Sequence, residues 1–445
     1  MVSLGIRLGP AIYMAGGLAL VGAAGYGFVA LAGHTLDPAH AAAIASLYLM
    51  VNIIGPGVFS ALEQETSRSV SSEAAAGRGV AAVTRHAWLL AAGLLAVVLV
   101  VLLVASPILT DQAFAGQWGL FLAVLLSVVT SAAVYVVRGL LGGRQRFTGY
   151  SATLGAEGIA RILPCIVIAA LGLPDPTWYA MIFAAGSGFG ALAGLFWLRR
   201  GVNQPVEPVG EVTVGEVTVE PASVKRMARS LSLLVGGTML MLLVMNVAPI
   251  VVTARLPEDA ATAAAFASAF VLARIPLFLF APVQAMLLPS LTRAASAHDF
   301  AGVRARLRVI LMAVLAIGLL GVLASFTVGP WAVQVLFGAE VRLPTTVVGL
   351  LGVSTVGLMT ALVLQPGLIA LGAHKQVTYG WAAGTVVLVA LLALPGDPIH
   401  AGVIAQLAGA ALVVAIMLRA LAKALREGGE AATAAAGAGT VVTSG

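Results

Sequence analysis

Twelve long apolar stretches recur along this 445-residue chain, at about 10–32, 39–62, 87–106, 113–137, 150–171, 177–198, 230–253, 262–289, 309–328, 345–371, 378–394 and 400–421. A hydrocarbon core about 30 Å thick requires about 20 apolar residues of helix to cross it, so each stretch is long enough to span a bilayer. In lipid a backbone must satisfy its own hydrogen bonds, which leaves helices or closed barrels. Runs of this length define helices. With 60% hydrophobic residues, 9% charged residues and a mean hydropathy of +1.04, the chain reads as an all-α polytopic membrane protein. The first stretch is read as a span rather than a cleavable leader.

The net charge of +6 is topological. Basic residues follow the even-numbered spans: Arg68, Arg78 and Arg85; Arg138, Arg144 and Arg146; Arg199, Arg200, Lys225, Arg226 and Arg229; Arg293, Arg304, Arg306 and Arg308; Lys375; then Arg419, Lys423 and Arg426. The opposite loops carry only Arg255 and Arg342 among Asp37, Asp111, Asp175, Glu258, Asp259, Glu340 and Asp397. Repeated at every loop, this bias puts both termini on the cytoplasmic side of the plasma membrane. It gives no support to nucleic-acid binding.

The segment Gly201–Val224 is rich in Pro, Val and Glu and interrupts the apolar pattern midway. It divides the chain into a six-helix half at 1–200, a cytoplasmic linker at 201–229, a second six-helix half at 230–426 and a tail at 427–445. The tail is Ala/Gly/Thr-rich and is expected to be disordered. The halves echo one another: AAIAS at Ala42–Ser46 with AAFAS at Ala264–Ser268, Pro56 and Arg68 with Pro282 and Arg293, Leu141-Gly142 with Leu371-Gly372. An even number of spans per half makes them parallel repeats, with a central cavity expected between them.

Charges inside the spans are the candidate site. Arg274 lies about 12 residues into the eighth span, about 18 Å deep at 1.5 Å per residue. It is either a structural arginine bonded to carbonyls freed by Pro276 or an anion contact. Glu157 and Arg161 stand four apart on one helix face, about 10 and 16 Å from the cytoplasmic end. They form an internal ion pair, or Glu157 exchanges a proton or sodium. Asn52 adds a polar group to the second span, while Pro56, Pro276 and Pro282 are hinge candidates. Glu63, Glu65 and Arg68 close the second span as a solvated helix end or a cytoplasmic gate. Gly186, Gly190 and Gly194 make a ridge of small residues for packing within the chain.

Enzyme chemistry has no signature here. There is no HExxH, serine elbow or phosphate-binding loop, and the histidines fall in loops or at span edges. Neither a metal nor a cofactor is expected. The single Cys165 excludes an internal disulfide and reads as a small buried residue.

Twelve spans in two parallel halves, with FSALEQETSR at Phe59–Arg68, RGLLGGRQRFTGY at Arg138–Tyr150 and ARIPLFLFAPVQAMLLPSLTR at Ala273–Arg293, resemble the multidrug/oligosaccharidyl-lipid/polysaccharide exporter superfamily. Within it the chain is most similar to the bacterial polysaccharide flippases. That resemblance implies a lipid-linked oligosaccharide moved across the cytoplasmic membrane by alternating access for cell-surface polysaccharide biosynthesis. The polyprenyl-pyrophosphate would meet Arg274, Arg161 and Asn52. Partners would be a glycan polymerase or glycosyltransferases, and the transporter itself a monomer. Two arginines against one glutamate make the expected cavity net positive, which favours an anionic cargo. The alternatives are a cation-coupled multidrug antiporter of the same superfamily and a non-transporting scaffold of a glycan assembly complex.

Overall fold

The structure is a computed structural model that describes residues 8–200, 224–277, 287, 291–292, 294–297 and 299–441. The linker at 201–223, Pro282, Arg293 and residues 442–445 lie outside the described residues. Among the described residues all regular structure is helical, and twelve helices are long and apolar enough to cross a membrane.

The elements are α1 (Leu8–Thr35), α2 (Pro38–Ile54), a π-helical segment (Gly55–Phe59), α3 (Ser60–Ala75), α4 (Ala81–Ile108), a second π-helical segment (Leu109–Ala113), α5 (Trp118–Gly143), α6 (Phe147–Ala170) and α7 (Pro176–Arg200). Then follow α8 (Val224–Arg255), α9 (Ala260–Ala273), α10 (Phe300–Thr327), α11 (Gly329–Phe337), α12 (Thr345–Ala370), α13 (His374–Leu392) and α14 (Pro398–Val441). The spans match the apolar stretches, with the second continuing to Ala75 and residues 278–286 and 288–289 of the eighth lying outside the described residues. Helix α14 departs from expectation, continuing through Val441 where disorder was anticipated past Glu427. Its Ala-rich sequence explains the difference, alanine being the strongest helix former.

The chain forms two compact units. One takes Met1–Leu242, Thr253–Ser268 and Leu336–Glu340; the other takes Leu243–Val252, Ala269–Val335 and Val341–Gly445. In the first, α6 packs on α1 and α7, and α5 packs on α3 and α7. In the second, α12 packs on α10 and α14, and α14 on α13. Helices α4 and α10 leave Val97, Val101, Val104, Leu315, Leu319 and Leu320 exposed, the apolar surface a lipid-facing helix requires.

Two loops share an Asp-Pro-x-His sequence. Asp37 accepts from the backbone N–H of Ala39 and His40 to cap α2, and Asp397 accepts from Ile399 to cap α14. Each carboxylate also pairs with the histidine three residues on, His40 or His400. Burial pushes both carboxyls up, but the histidine and backbone hydrogen bonds outweigh it and hold them below the ordinary aspartate value. The caps therefore stabilise above that ordinary value and are lost as pH falls through the lowered one.

Candidate functional site

Helix α6 carries Gly149, Thr153, Glu157, Arg161 and Cys165 at intervals of four, so all five share one face. That face meets the glycine ridge of α7. A side chain at Gly186 would meet the Arg161 Cγ at 2.3 Å, one at Gly190 the Thr153 carbonyl at 2.9 Å, and one at Gly194 the Val137 side chain at 2.3 Å. Small residues on α7 thus leave room for the charged stripe of α6. The ridge packs within the chain.

Glu157 is buried, at 3% exposure. The Arg161 Nη2 stands 2.6 Å from its Oε1, which also accepts from the Ser187 hydroxyl of α7 at 2.8 Å. Arg161 donates in turn to that hydroxyl at 2.9 Å. The other carboxylate oxygen is taken by Arg138 of α5. Arg138 also donates through Nε to the Thr153 hydroxyl at 2.9 Å. The Arg161 guanidinium lies 4.5 Å from the Phe183 ring centroid, and that of Arg138 lies 5.8 and 5.9 Å from Tyr135 and Tyr150. Such cation–π contacts replace part of the hydration two buried guanidiniums have lost.

Arg138 is the residue that sequence reasoning misplaced. Counted with Arg144 and Arg146 as loop charge, it is buried at 6% exposure because α5 continues to Gly143. Thr153 and Ser187 were missed as well; hydroxyls on apolar helices carry no distinguishing pattern.

The second span ends in a cluster packed on one side and solvated on the other, where Arg68 is 63% exposed. Glu65 is 1% exposed and Thr66 is fully buried. Glu65 accepts from Arg68 of its own helix at 2.8 Å, from Ser69 at 3.2 Å and from Ser230 of α8 at 2.8 Å. The seventh span thus offers Glu65 a hydroxyl where a gate would have called for a base. Glu63 accepts from the Tyr150 hydroxyl of α6 at 2.7 Å. Asn52 donates to the Tyr48 carbonyl one turn back at 2.8 Å. Pro56 sits inside the π segment, a form of helix frequent at functional sites.

In the second unit Arg274 is 8% exposed. It donates to the Thr355 hydroxyl of α12 at 3.1 Å and lies 4.3 Å from the Phe270 ring centroid. Helix α9 stops at Ala273. Pro276 has no N–H to bond the carbonyl four residues back, and Arg274 and Leu277 donate instead to carbonyls three residues back, both at 3.0 Å. A cavity of about 200 Å³, lined by Ala273, Ile275, Pro276, Gly321, Thr355 and Met359 among others, adjoins this break. Among the described residues no group of three or more His, Cys, Asp or Glu side chains could hold a metal.

This is the architecture of a polytopic helical membrane protein. The chain aligns with an inward-facing multidrug resistance MATE family transporter of the MOP superfamily, at a TM-score of 0.66 and 14% identity over 94% of this chain and 99% of that one. A eukaryotic MATE transporter aligns at a TM-score of 0.61 with 15% identity, over 95% of this chain and 98% of the other. For a Vibrio cholerae MATE transporter the TM-score is 0.56 and the identity 17%, over 94% and 98%. At these identities the likeness is one of fold. No family profile matches the chain. An uncharacterized protein of Mycobacterium tuberculosis strain H37Rv is 27% identical over 418 residues, 91% of this chain and 90% of its own. A second from the same strain is 25% identical over 329 residues, 73% and 72% of the two chains.

Proposed function

We propose that the chain is a multi-pass membrane transporter of the exporter superfamily, working by alternating access, with amphipathic small molecules as cargo and a cation gradient as the driving force. The near full-length match to the fold of a multidrug resistance transporter carries this reading. The sequence tally of two arginines against one glutamate omitted Arg138 and the Glu63 carboxylate that Tyr150 holds beside it. With both counted, the first unit's cluster is two against two, and the excess of one arginine over the whole chain is Arg274, in the second unit.

A second reading keeps the lipid-linked oligosaccharide. One observation favours it: Arg274 is a buried guanidinium beside an apolar cavity. Headgroup and tail of an anionic lipid call for that combination.

Purified protein in vesicles loaded with ethidium decides between them. An imposed pH gradient is expected to drive ethidium efflux. No efflux, together with lipid-linked glycan accumulating in the cytoplasmic leaflet of a deletion strain, overturns the multidrug reading in favour of the second.

The loop charges set the orientation expected for such a transporter. Alkaline phosphatase fused after Pro205 or Gly428 is expected to be inactive, and after Asp397 active. Activity after Pro205 would invert the arrangement.

A further inference from the structure

The first unit holds two carboxylates within one cluster, and they are held differently. Both oxygens of Glu157 are taken, by two guanidiniums and the Ser187 hydroxyl. A carboxylate held by two buried cations gives up its charge only by leaving both uncompensated, which makes it a poor site for reversible protonation. Glu63 is half-buried, and among the described residues its hydrogen-bond donor is one neutral hydroxyl, that of Tyr150.

The ionisable groups facing Glu63 are Tyr150 and Glu157 from α6 and Arg138 and Tyr135 from α5; on its own helix Glu65 and Arg68 pair with one another. Helix α4 also packs on α3 and carries Arg85, which is exposed, and His86, which is part-buried. Burial and Glu157 oppose the ionised form, while Arg138 and the Tyr150 hydroxyl favour it. Glu63 also stands one turn beyond Phe59, the last residue of the π segment.

We infer that Glu63, not Glu157, is the carboxyl that takes up and releases the coupling proton. This rests on the transporter reading. Ionised, Glu63 accepts the hydrogen bond from Tyr150. When a proton arrives from water, the carboxylic acid becomes the donor and the Tyr150 oxygen the acceptor, so the pair survives both states. No other bond changes, and the proton returns to water on release.

Infrared difference spectra of the full chain in lipid, titrated from about pH 4 to about pH 9 across the carboxyl range, read this directly. A protonated-carboxyl band that disappears as pH rises is expected in the wild type and absent from Glu63→Gln. Tyr150→Phe should keep the band and move its midpoint to higher pH, since the ionised form loses its donor. Glu63→Asp should keep it with a shifted midpoint, which covers failure of Glu63→Gln to fold. Loss of gradient-driven ethidium efflux in Glu63→Gln is expected alongside. An unchanged band in Glu63→Gln, or a midpoint indifferent to both Tyr150→Phe and Glu63→Asp, overturns the assignment. A band assigned to Glu63 in a wild type that moves no ethidium overturns the cargo reading and leaves the proton site standing.

Discussion

Glu157→Leu is expected to cost about 3–5 kcal/mol of stability, the scale for removing one partner from a buried ion pair. Among the described residues, the leucine leaves Arg138 and Arg161 facing one another with only the Thr153 and Ser187 hydroxyls as hydrogen-bond acceptors. Two guanidiniums held apart from water cannot neutralise themselves by losing a proton. The thermal midpoint of the detergent-solubilised protein, followed by size-exclusion chromatography, measures the loss. The triple replacement Arg138→Met, Glu157→Leu, Arg161→Met should recover most of it, because an apolar set of similar volume frees the site of its desolvation cost. The recovery is the informative part, since contacting residues are not additive. A single Glu157→Leu variant as stable as the wild type would show that the three charges do not hold α5, α6 and α7 together.

Under the lipid-linked reading, Arg274→Ala should lower transport by about thirtyfold or more while the protein inserts and accumulates normally, taking about 2 kcal/mol as the low end for a buried charged contact. The guanidinium is anchored by Thr355 and shielded by Phe270, so its position is set before cargo arrives. Arg274→Lys should keep part of the activity, since lysine retains the charge and loses the planar fork. Initial rates of lipid-linked glycan translocation at matched protein levels check both. Full activity in Arg274→Ala would mark the residue as structural, and the lipid-linked reading would lose its main support.

Hydropathy made the spans legible because the bilayer fixes both their length and their chemistry. The Glu157–Arg161 pair was legible for a similar reason, since four residues on one helix set the distance. Arg138 was hidden by the rule that located the loops. Arginine after an apolar run signals the cytoplasmic side wherever the helix ends, so the rule does not separate a loop charge from one in the last turns of α5. The Gly186–Gly194 ridge announced close packing, yet its partner lay in α6, where Thr153, Glu157 and Arg161 happen to need the room. For Glu63 and Glu65, two acids beside Arg68 at a span end looked hydrated. Their burial comes from α5 and α8 closing over them, which no local pattern records.

The π segment at Gly55–Phe59 amounts to one extra residue wound into the second span. Each residue of an α-helix turns the chain by about 100°, so an insertion re-aims everything that follows it. The azimuth of Glu63 and Glu65 is therefore decided upstream, in a stretch with no charge of its own. Deleting one residue there would straighten the helix and swing both carboxylates away from Tyr150 and Ser230, a charge relocation made without altering a single charged side chain.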